Sequence, residues 1–207
     1  MNAEGIGITS PSPVKFVMSE PDMQLLHTES LKRAEYRGYR ARQGTWEQGL
    51  LGDSYVDGIG TLRKDVRPIF AGLLGEYATA LLVNRRFPGA AKVDLRLRKG
   101  GDFGIDLQVF GLTLQVKTRQ NSESHNLVKR INERGALLRI PARGCVFCEW
   151  TGGQIVSVLG WCWTKDIEWR ETEQSSLGSW RNIVVRDCDL LPARRLIDDL
   201  SARKQLL

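Results

Sequence analysis

The stretch 105–117, IDLQVFGLTLQVK, alternates apolar and polar residues on both sides of one glycine, Gly111. Such alternation predicts two half-buried β-strands, and a glycine as the second loop residue favours a tight type I′ turn at Phe110 and Gly111. With that turn, the apolar side chains of both strands share one face and the polar side chains share the other. A shift of one residue would mix the two sets, so the pattern predicts this hairpin in this register.

The polar face of the predicted hairpin carries an unusual set of side chains. Asp106 is expected opposite Gln115, with Cβ atoms about 4.5–5.5 Å apart, and Lys117 follows on the same face. A carboxylate, an amide oxygen and a backbone carbonyl suit a hard cation such as Mg²⁺ or Mn²⁺, and a nearby lysine can neutralise charge on a phosphate. A plain solvent-facing strand shows the same alternation, so a surface without chemistry stays an alternative.

The rest of the chain predicts an α/β fold with a central mixed β-sheet flanked by helices. Apolar residues at i, i+3 and i+4 between Ile69 and Leu82 indicate the strongest helix. Further helices are expected at 22–43, 124–135 and 192–207, a helical turn at 164–171, and further strands at 91–98, 137–140, 145–150, 154–163 and 182–187.

Two regions are expected along the chain. Residues 1–64 are predicted to form an N-terminal arm, with a loose start (1–20), a basic helix and a glycine-rich loop (44–63). Residues 65–207 are predicted to form the α/β domain, and the total of 207 residues suits one domain with an appendage.

Composition favours a chain outside the membrane that binds a polyanion. No apolar run reaches the ~20 residues that span a bilayer, and the first residues do not resemble a secretory signal, so a cytoplasmic location is expected. The formal net charge is +6, which favours a polyanion partner such as a nucleic acid over an acidic substrate or no partner.

The four cysteines do not make a convincing metal site. Cys145 and Cys148 form a C-x-x-C that could begin a zinc site with Cys162 and Cys188. However, their flanks indicate a buried strand, on which residues three apart point to opposite faces. Buried free cysteines are therefore the favoured interpretation.

Three motifs taken together, GLLGEYATALL (72–82), GDFGID (101–106) and LQVKT (114–118), resemble the PD-(D/E)XK nuclease superfamily. The chain is most similar to the branch with a Gln-x-Lys half-motif, which includes Mrr-type restriction endonucleases and phage or prophage nucleases. The resemblance covers residues 65–120 and implies a restriction-endonuclease-like αβββαβ core. It also implies a Mg²⁺-dependent deoxyribonuclease, with Mn²⁺ as the alternative cation, that hydrolyses DNA through a metal-activated water.

The resemblance assigns roles to five positions of this chain. It implies that Asp106, Gln115, Glu76 and the Val116 carbonyl bind the metal, and that Lys117 is the motif's catalytic lysine alongside Glu76, Asp106 and Gln115. The chain departs from the family's pattern at two positions. Isoleucine precedes the acid where proline is frequent, and Gln115 replaces a second carboxylate. Asp102 is a rival ligand on the same strand parity as Asp106.

A DNA-binding surface follows from the basic residues. Those expected to contact phosphates are Lys32, Arg33, Arg37, Arg40, Arg85, Arg86, Arg98, Lys99 and Arg119. A restriction-type role would also imply a homodimer. Two alternatives stay open: a catalytically inactive DNA-binding protein on the same fold, for which Gln115 is the argument, and an interaction protein whose polar hairpin face is only solvated.

Overall fold

The computed structural model describes residues 12–36, 54–95, 105–120, 125–131, 141–167, 172–174 and 181–207. Within these ranges the chain is an α/β protein with three helices and a five-stranded, mixed, strongly curled sheet packed against helices. The helices are α1 (Glu20–Tyr36), α2 (Arg67–Arg86) and α3 (Ala193–Lys204). The strands are β1 (Val14–Val17), β2 (Ser54–Val56), β3 (Gly60–Leu62), β4 (Leu107–Val109), β5 (Leu112–Arg119), β6 (His125–Ile131), β7 (Gly144–Glu149), β8 (Ile155–Trp163), β9 (Thr172–Gln174) and β10 (Arg181–Arg186).

The sheets are arranged around β5 and β7. The main sheet has the order β1-β8-β7-β5-β4, in which only β5 and β7 run parallel to each other. A three-stranded sheet has the order β6-β10-β9, and β2 pairs with β3. Helix α2 packs against β5, β7 and β8. The opposite face of β7 is buried in a second core that includes residues of β10.

The expected hairpin is confirmed. Leu107 pairs with Leu114 and Val109 with Leu112, while Phe110 and Gly111 have φ angles of 45° and 72°. Both loop residues therefore occupy the left-handed region that a type I′ turn needs. Burial along β5 alternates as the sequence predicted, because Leu112 and Leu114 are fully buried and the intervening Thr113 is half-buried.

Two other expectations are wrong because tertiary pairing overrides local composition. Residues 12–20 were expected to be loose, but β1 pairs along its full length with β8 and α1 begins at Glu20. Phe16 of β1 is only 2% exposed and belongs to the same core as α2. The helix expected at 124–135 is instead strand β6 at His125–Ile131, which pairs with β10.

Three further segments can be compared only in part. Residues 91–95, expected as the start of a strand, have no regular secondary structure, and 96–98 lie outside the described residues. The helix expected over 22–43 is observed to Tyr36, and 37–43 are not described. Within the expected glycine-rich loop, β2 and β3 form a short hairpin. Among the described residues, no helix is long and apolar enough to cross a membrane.

Helix α2 approaches the sheet most closely at Gly75. A Cβ atom built at Gly75 would lie 2.0 Å from Thr118 Oγ1 and 3.3 Å from Cys148 Cβ. One turn later, the Thr79 hydroxyl donates to the Gly75 carbonyl and lies 3.7 Å from the Cys148 sulfur. The helix can therefore sit this low over β5 and β7 only because position 75 lacks a side chain.

We expect Gly75→Ala to lower the free energy of unfolding by about 1–3 kcal/mol, since the new methyl group overpacks the contact with Thr118. Gly72→Ala is the matched control, because a Cβ there meets nothing within 4 Å, and its helix propensity should stabilise by up to about 1 kcal/mol. Urea denaturation measures both. Equal effects at the two positions would contradict this packing, whereas Thr118→Ala should partly rescue Gly75→Ala.

Candidate metal and nucleic-acid site

The backbone groups of β5 form hydrogen bonds to neighbours on both sides. The carbonyls of Thr113 and Arg119 accept hydrogen bonds of 2.9 Å from Arg143 and Trp150, which flank β7. The even-numbered residues turn the other way, since the Leu114 carbonyl accepts the Asp106 amide. In a strand the N–H and C=O of one residue point to the same side. The carbonyl of Val116, the next even residue, therefore points toward the edge of β5 that β4 does not cover.

Asp106 lies at this edge, just before β4. Its amide donates to the Leu114 carbonyl at 2.9 Å, although Leu114 is the register partner of Leu107. Its carboxylate Oδ2 accepts the Val116 amide at 2.5 Å. The expected pairing of Asp106 with Gln115 thus does not continue the ladder. Instead the Asp106 carboxylate accepts the hydrogen bond from the Val116 amide that a carbonyl of a neighbouring strand would otherwise accept.

Gln115 and Lys117 project from the face of β5 that is opposite to α2. Their parallel partners are Cys145 and Phe147, whose side chains belong to the second core. Both Gln115 and Lys117 are half-buried. Among the described residues, no hydrogen bond or ion pair engages the Lys117 ammonium. A half-buried cation without a fixed partner is a candidate for binding an anionic ligand.

The buried Cys145 thiol of β7 is affected by both charged groups. Burial raises the pKa of Cys145 to about 12, while the Lys117 cation acts to lower it and the Asp106 anion acts to raise it. The charges of Lys117 and Asp106 thus act in opposite directions on the pKa of this buried thiol. The placement of the Asp106 carboxylate and the Lys117 ammonium around one cation stays a prediction.

Glu76 approaches from a different direction. It is a half-buried residue of α2, and α2 covers the face of the sheet opposite to Gln115 and Lys117. At about 100° per residue, Glu76 lies on a flank of the helix, between the sheet-facing Gly75 and Tyr77, whose hydroxyl donates to Asp22 of α1 at 2.6 Å. To act with Lys117, Glu76 would have to reach around the sheet edge, so its role as a ligand remains a prediction.

The donor set suits a hard cation by type. The Asp106 carboxylate, the Gln115 amide and the Val116 carbonyl all offer oxygen atoms, which Mg²⁺ and Mn²⁺ prefer. The described residues contain no group of three or more His, Cys, Asp or Glu side chains placed to hold a metal. A cation here would thus depend on the amide and the backbone carbonyl. Asp102 lies outside the described residues.

The cysteines do not form a zinc site in the described part of the chain. Cys145, Cys148 and Cys162 are buried free thiols, and Cys188 is exposed. Cys148 faces α2 and donates to the Gly75 carbonyl at 3.7 Å, whereas Cys145 belongs to the opposite core. Burial raises the pKa of Cys148, like that of Cys145, to about 12. The expectation that the C-x-x-C residues point to opposite faces is confirmed.

The expected phosphate-binding residues have different environments. Lys32 is exposed and pairs with Glu29 at 2.6 Å, while Arg33 donates to the Asp94 carbonyl at 2.8 Å. Arg85 and Arg86 are exposed at the end of α2, with the Arg85 guanidinium 4.2 Å from the Phe16 ring centre. Arg37, Arg40, Arg98 and Lys99 lie outside the described residues.

Arg119 does not fit the expected role. Its side chain is 12% exposed, and its guanidinium bonds Glu149 Oε2 at 2.7–2.8 Å and both Asp187 oxygens at 2.9 and 3.0 Å. This arginine is therefore committed to two carboxylates and ties β5 and β7 to the turn after β10. Sequence reasoning missed the cluster because Asp187 lies 68 residues away, and no local pattern signals such a pair.

Comparison of the chain with protein-family models, with curated proteins and with solved structures finds no match.

We expect Arg119→Met to lower the free energy of unfolding by about 2–3 kcal/mol, because it leaves two mostly buried carboxylates without their cation. Arg195→Met is the matched control. Its pair with Asp199 is 4.0 Å long and the arginine is 60% exposed, so its loss should change stability by less than about 1 kcal/mol. Thermal and urea unfolding of both variants checks this. Similar losses at both positions would contradict a structural role specific to Arg119.

Proposed function

We propose that this chain is a metal-dependent DNA nuclease, acting as an endonuclease, which hydrolyses phosphodiester bonds by a metal-activated water with Mg²⁺ or Mn²⁺. The observation that carries the proposal is the Asp106 carboxylate bound to the Val116 amide, one residue before Lys117, beside the edge to which the Val116 carbonyl points. The resemblance of the motifs around Glu76, Asp106 and Lys117 to PD-(D/E)XK nucleases supports the same conclusion.

Each residue of the proposed site would have a distinct role. Asp106, oriented by the Val116 amide, and Gln115 would hold the cation together with the Val116 carbonyl. A bound divalent cation supplies charge neutralisation at the phosphate and acidity to water. Lys117 would place its ammonium against the scissile phosphate and stabilise the negative charge that develops there. Exposed Lys32, Arg85 and Arg86 would contact the DNA backbone at a distance from the reaction.

The proposal also extends to the core of the fold. In a restriction-endonuclease-like αβββαβ core, a helix precedes the strands that carry the acid and the lysine, and a further strand runs parallel to the strand of the lysine. Helix α2, the β4–β5 hairpin and the parallel strand β7 match that plan. The crossover between β5 and β7 differs, since its described part is strand β6 instead of a helix.

A catalytically inactive DNA-binding protein on the same fold is the second candidate. Gln115 favours it, because an amide in place of a carboxylate removes one negative charge from the ligand set and weakens attraction for a divalent cation. The described residues also lack a cluster of three acidic, cysteine or histidine ligands. Assays of binding and of cleavage separate the two candidates.

We expect the purified protein to cut linear, nicked, branched or circular DNA when Mg²⁺ or Mn²⁺ is present and to stop when EDTA is added. Lys117→Ala should reduce cleavage by about 100-fold or more, since it removes the cation that stabilises the transition state. Lys165→Ala is the matched control, because Lys165 is an exposed lysine in the 3₁₀ turn that follows β8, outside the proposed site. Gel electrophoresis of the products gives the rates, and melting temperatures verify that each variant is folded.

Equal cleavage by the Lys117 and Lys165 variants would refute the proposed site. DNA binding without cleavage by the wild type would instead favour the inactive candidate. Binding that is unaffected by divalent cations, with no rise in melting temperature on adding Mg²⁺ or Mn²⁺, would point the same way.

We expect Gln115→Glu to strengthen divalent-cation binding, because it adds a second carboxylate to the proposed ligand set. The midpoint of Mn²⁺ titration, followed by melting temperature, should fall by about tenfold in concentration, in line with the effect of adding one charged ligand. Gln108→Glu is the control, because Gln108 is an exposed residue of β4. If both variants shift the midpoint equally, the effect is a general one of charge and the proposed ligand set is wrong.

A further inference from the structure

A polar cavity lies between α1 and the β2–β3 hairpin, apart from the candidate metal site. It has a volume of about 540 Å³ and is lined by Glu20, Gln24, His27 and Thr28 of α1 and by Tyr55 and Gly58 of the hairpin, among others. None of the described residues that line it is a lysine or an arginine. The sequence did not predict it, because its two walls are about 30 residues apart.

The two walls are held together by specific contacts. Gln24 Nε2 donates to the Gly58 carbonyl at 3.4 Å and to Glu20 Oε1 at 3.2 Å. Gly58 has a φ angle of 86°, and a Cβ there would lie 3.5 Å from Glu20 Cγ and 3.3 Å from Gln154 Nε2. A side chain at position 58 would be conformationally strained, so glycine lets the hairpin come close to the first turn of α1.

The groups that face the cavity mainly accept hydrogen bonds. The amide N–H₂ of Gln24 is already engaged, which leaves its carbonyl oxygen, and Glu20 is a carboxylate. The Thr28 hydroxyl donates to the Gln24 carbonyl and retains lone pairs. His27 packs edge-on against Phe70 at 6.0 Å, and partial burial lowers its pKa, which favours the neutral ring at neutral pH. The cavity therefore suits a ligand that donates hydrogen bonds.

Tyr55 adds an aromatic surface at the rim. Its side chain is 77% exposed, more than that of any other aromatic residue among the exposed hydrophobics. Burying the face of a large aromatic side chain against another group lowers the free energy. Nucleobases stack on such rings irrespective of sequence. An exposed ring beside hydrogen-bond acceptors is the combination that binds a planar, donor-bearing group.

We propose that this cavity binds one unpaired nucleobase that carries an exocyclic amino group, stacked on Tyr55 and hydrogen-bonded to Glu20. The inference rests on the proposed function, since it assigns the DNA nuclease a base-binding subsite. A phosphate is disfavoured, because the cavity offers a carboxylate and no cation. A cationic peptide is disfavoured by the net charge of +6 of the chain. Glutamate accepts from the amino group of cytosine in other base contacts, and thymine has no such group.

The test uses the full chain in EDTA, so that DNA is bound without being cut. The probes are fluorescein-labelled oligothymidylates that contain one central cytosine, adenine, guanine, thymine or abasic site, and anisotropy gives each dissociation constant. We expect an amino-bearing central base to bind about tenfold more tightly than thymine or the abasic site, as stacking and one good hydrogen bond predict. Tyr55→Ala should remove the difference between every base and the abasic site.

Two further variants sharpen the result. Glu20→Gln should remove the preference for amino-bearing bases over thymine while keeping the advantage over the abasic site. Tyr36→Ala is the matched control, because Tyr36 is a 54% exposed tyrosine at the far end of α1, and it should leave all constants within about twofold of wild type. Melting temperatures check that each variant folds.

The outcomes separate this inference from the function on which it rests. If the wild type binds the oligonucleotides with one affinity for all central bases, and neither Tyr55→Ala nor Glu20→Gln has an effect, the base-binding cavity is wrong although DNA binding stands. If the wild type binds no DNA, the proposed function fails and the cavity inference fails with it. Glu20-dependent binding of an oligoarginine peptide in place of DNA also overturns the inference.

Discussion

The geometry of the candidate site depends on how β5 shares its backbone hydrogen bonds. Its odd residues bond toward β7, and its even residues bond toward β4 and Asp106. Because β4 begins only at Leu107, a stretch of β5 edge is left unpaired by β4, and the Asp106 carboxylate binds the Val116 amide there. A longer β4 would have paired this edge with backbone groups. The short strand thus lets a side chain bind where a strand would otherwise continue.

The pairing of β5 with β7 also decides which side chains share a face of the sheet. Parallel partners in β5 and β7 lie on one side of the sheet, so Gln115 and Lys117 share a face with Cys145 and Phe147. Val116 and Thr118 lie on the side of α2, where Gly75 allows contact with Thr118. Helix α2 therefore fixes the end of β5 from one face while the residues proposed for chemistry project from the other. Glu76 belongs to the helix on one face, and Lys117 projects from the other.

Charge is distributed in a way that suits the proposed function. Arg119 is neutralised by Glu149 and Asp187 in a mostly buried cluster, so it stabilises the junction of β5, β7 and the turn after β10. Lys117 lies two residues earlier on the same face. Among the described residues, no hydrogen bond or ion pair engages its ammonium, which can therefore bind a ligand. The cavity beside α1 has the opposite character, with acceptors and no described cation in its lining. A polynucleotide offers phosphates to the first kind of surface and bases to the second.

The sequence by itself determined the elements whose signals are local: the type I′ turn at Phe110 and Gly111, the two faces of the hairpin, and α2. These depend on backbone preference and on the period of apolar residues, which neighbouring residues define. The tertiary structure alone decided that β1 and β6 are strands, that Arg119 is bound by Asp187, and that α1 meets the β2–β3 hairpin. It also decided that α2, the helix of Glu76, packs on the face of the sheet opposite to Lys117. Each of these depends on partners far along the chain, and the free energy of such pairing exceeds the weak local propensities from which a sequence is interpreted.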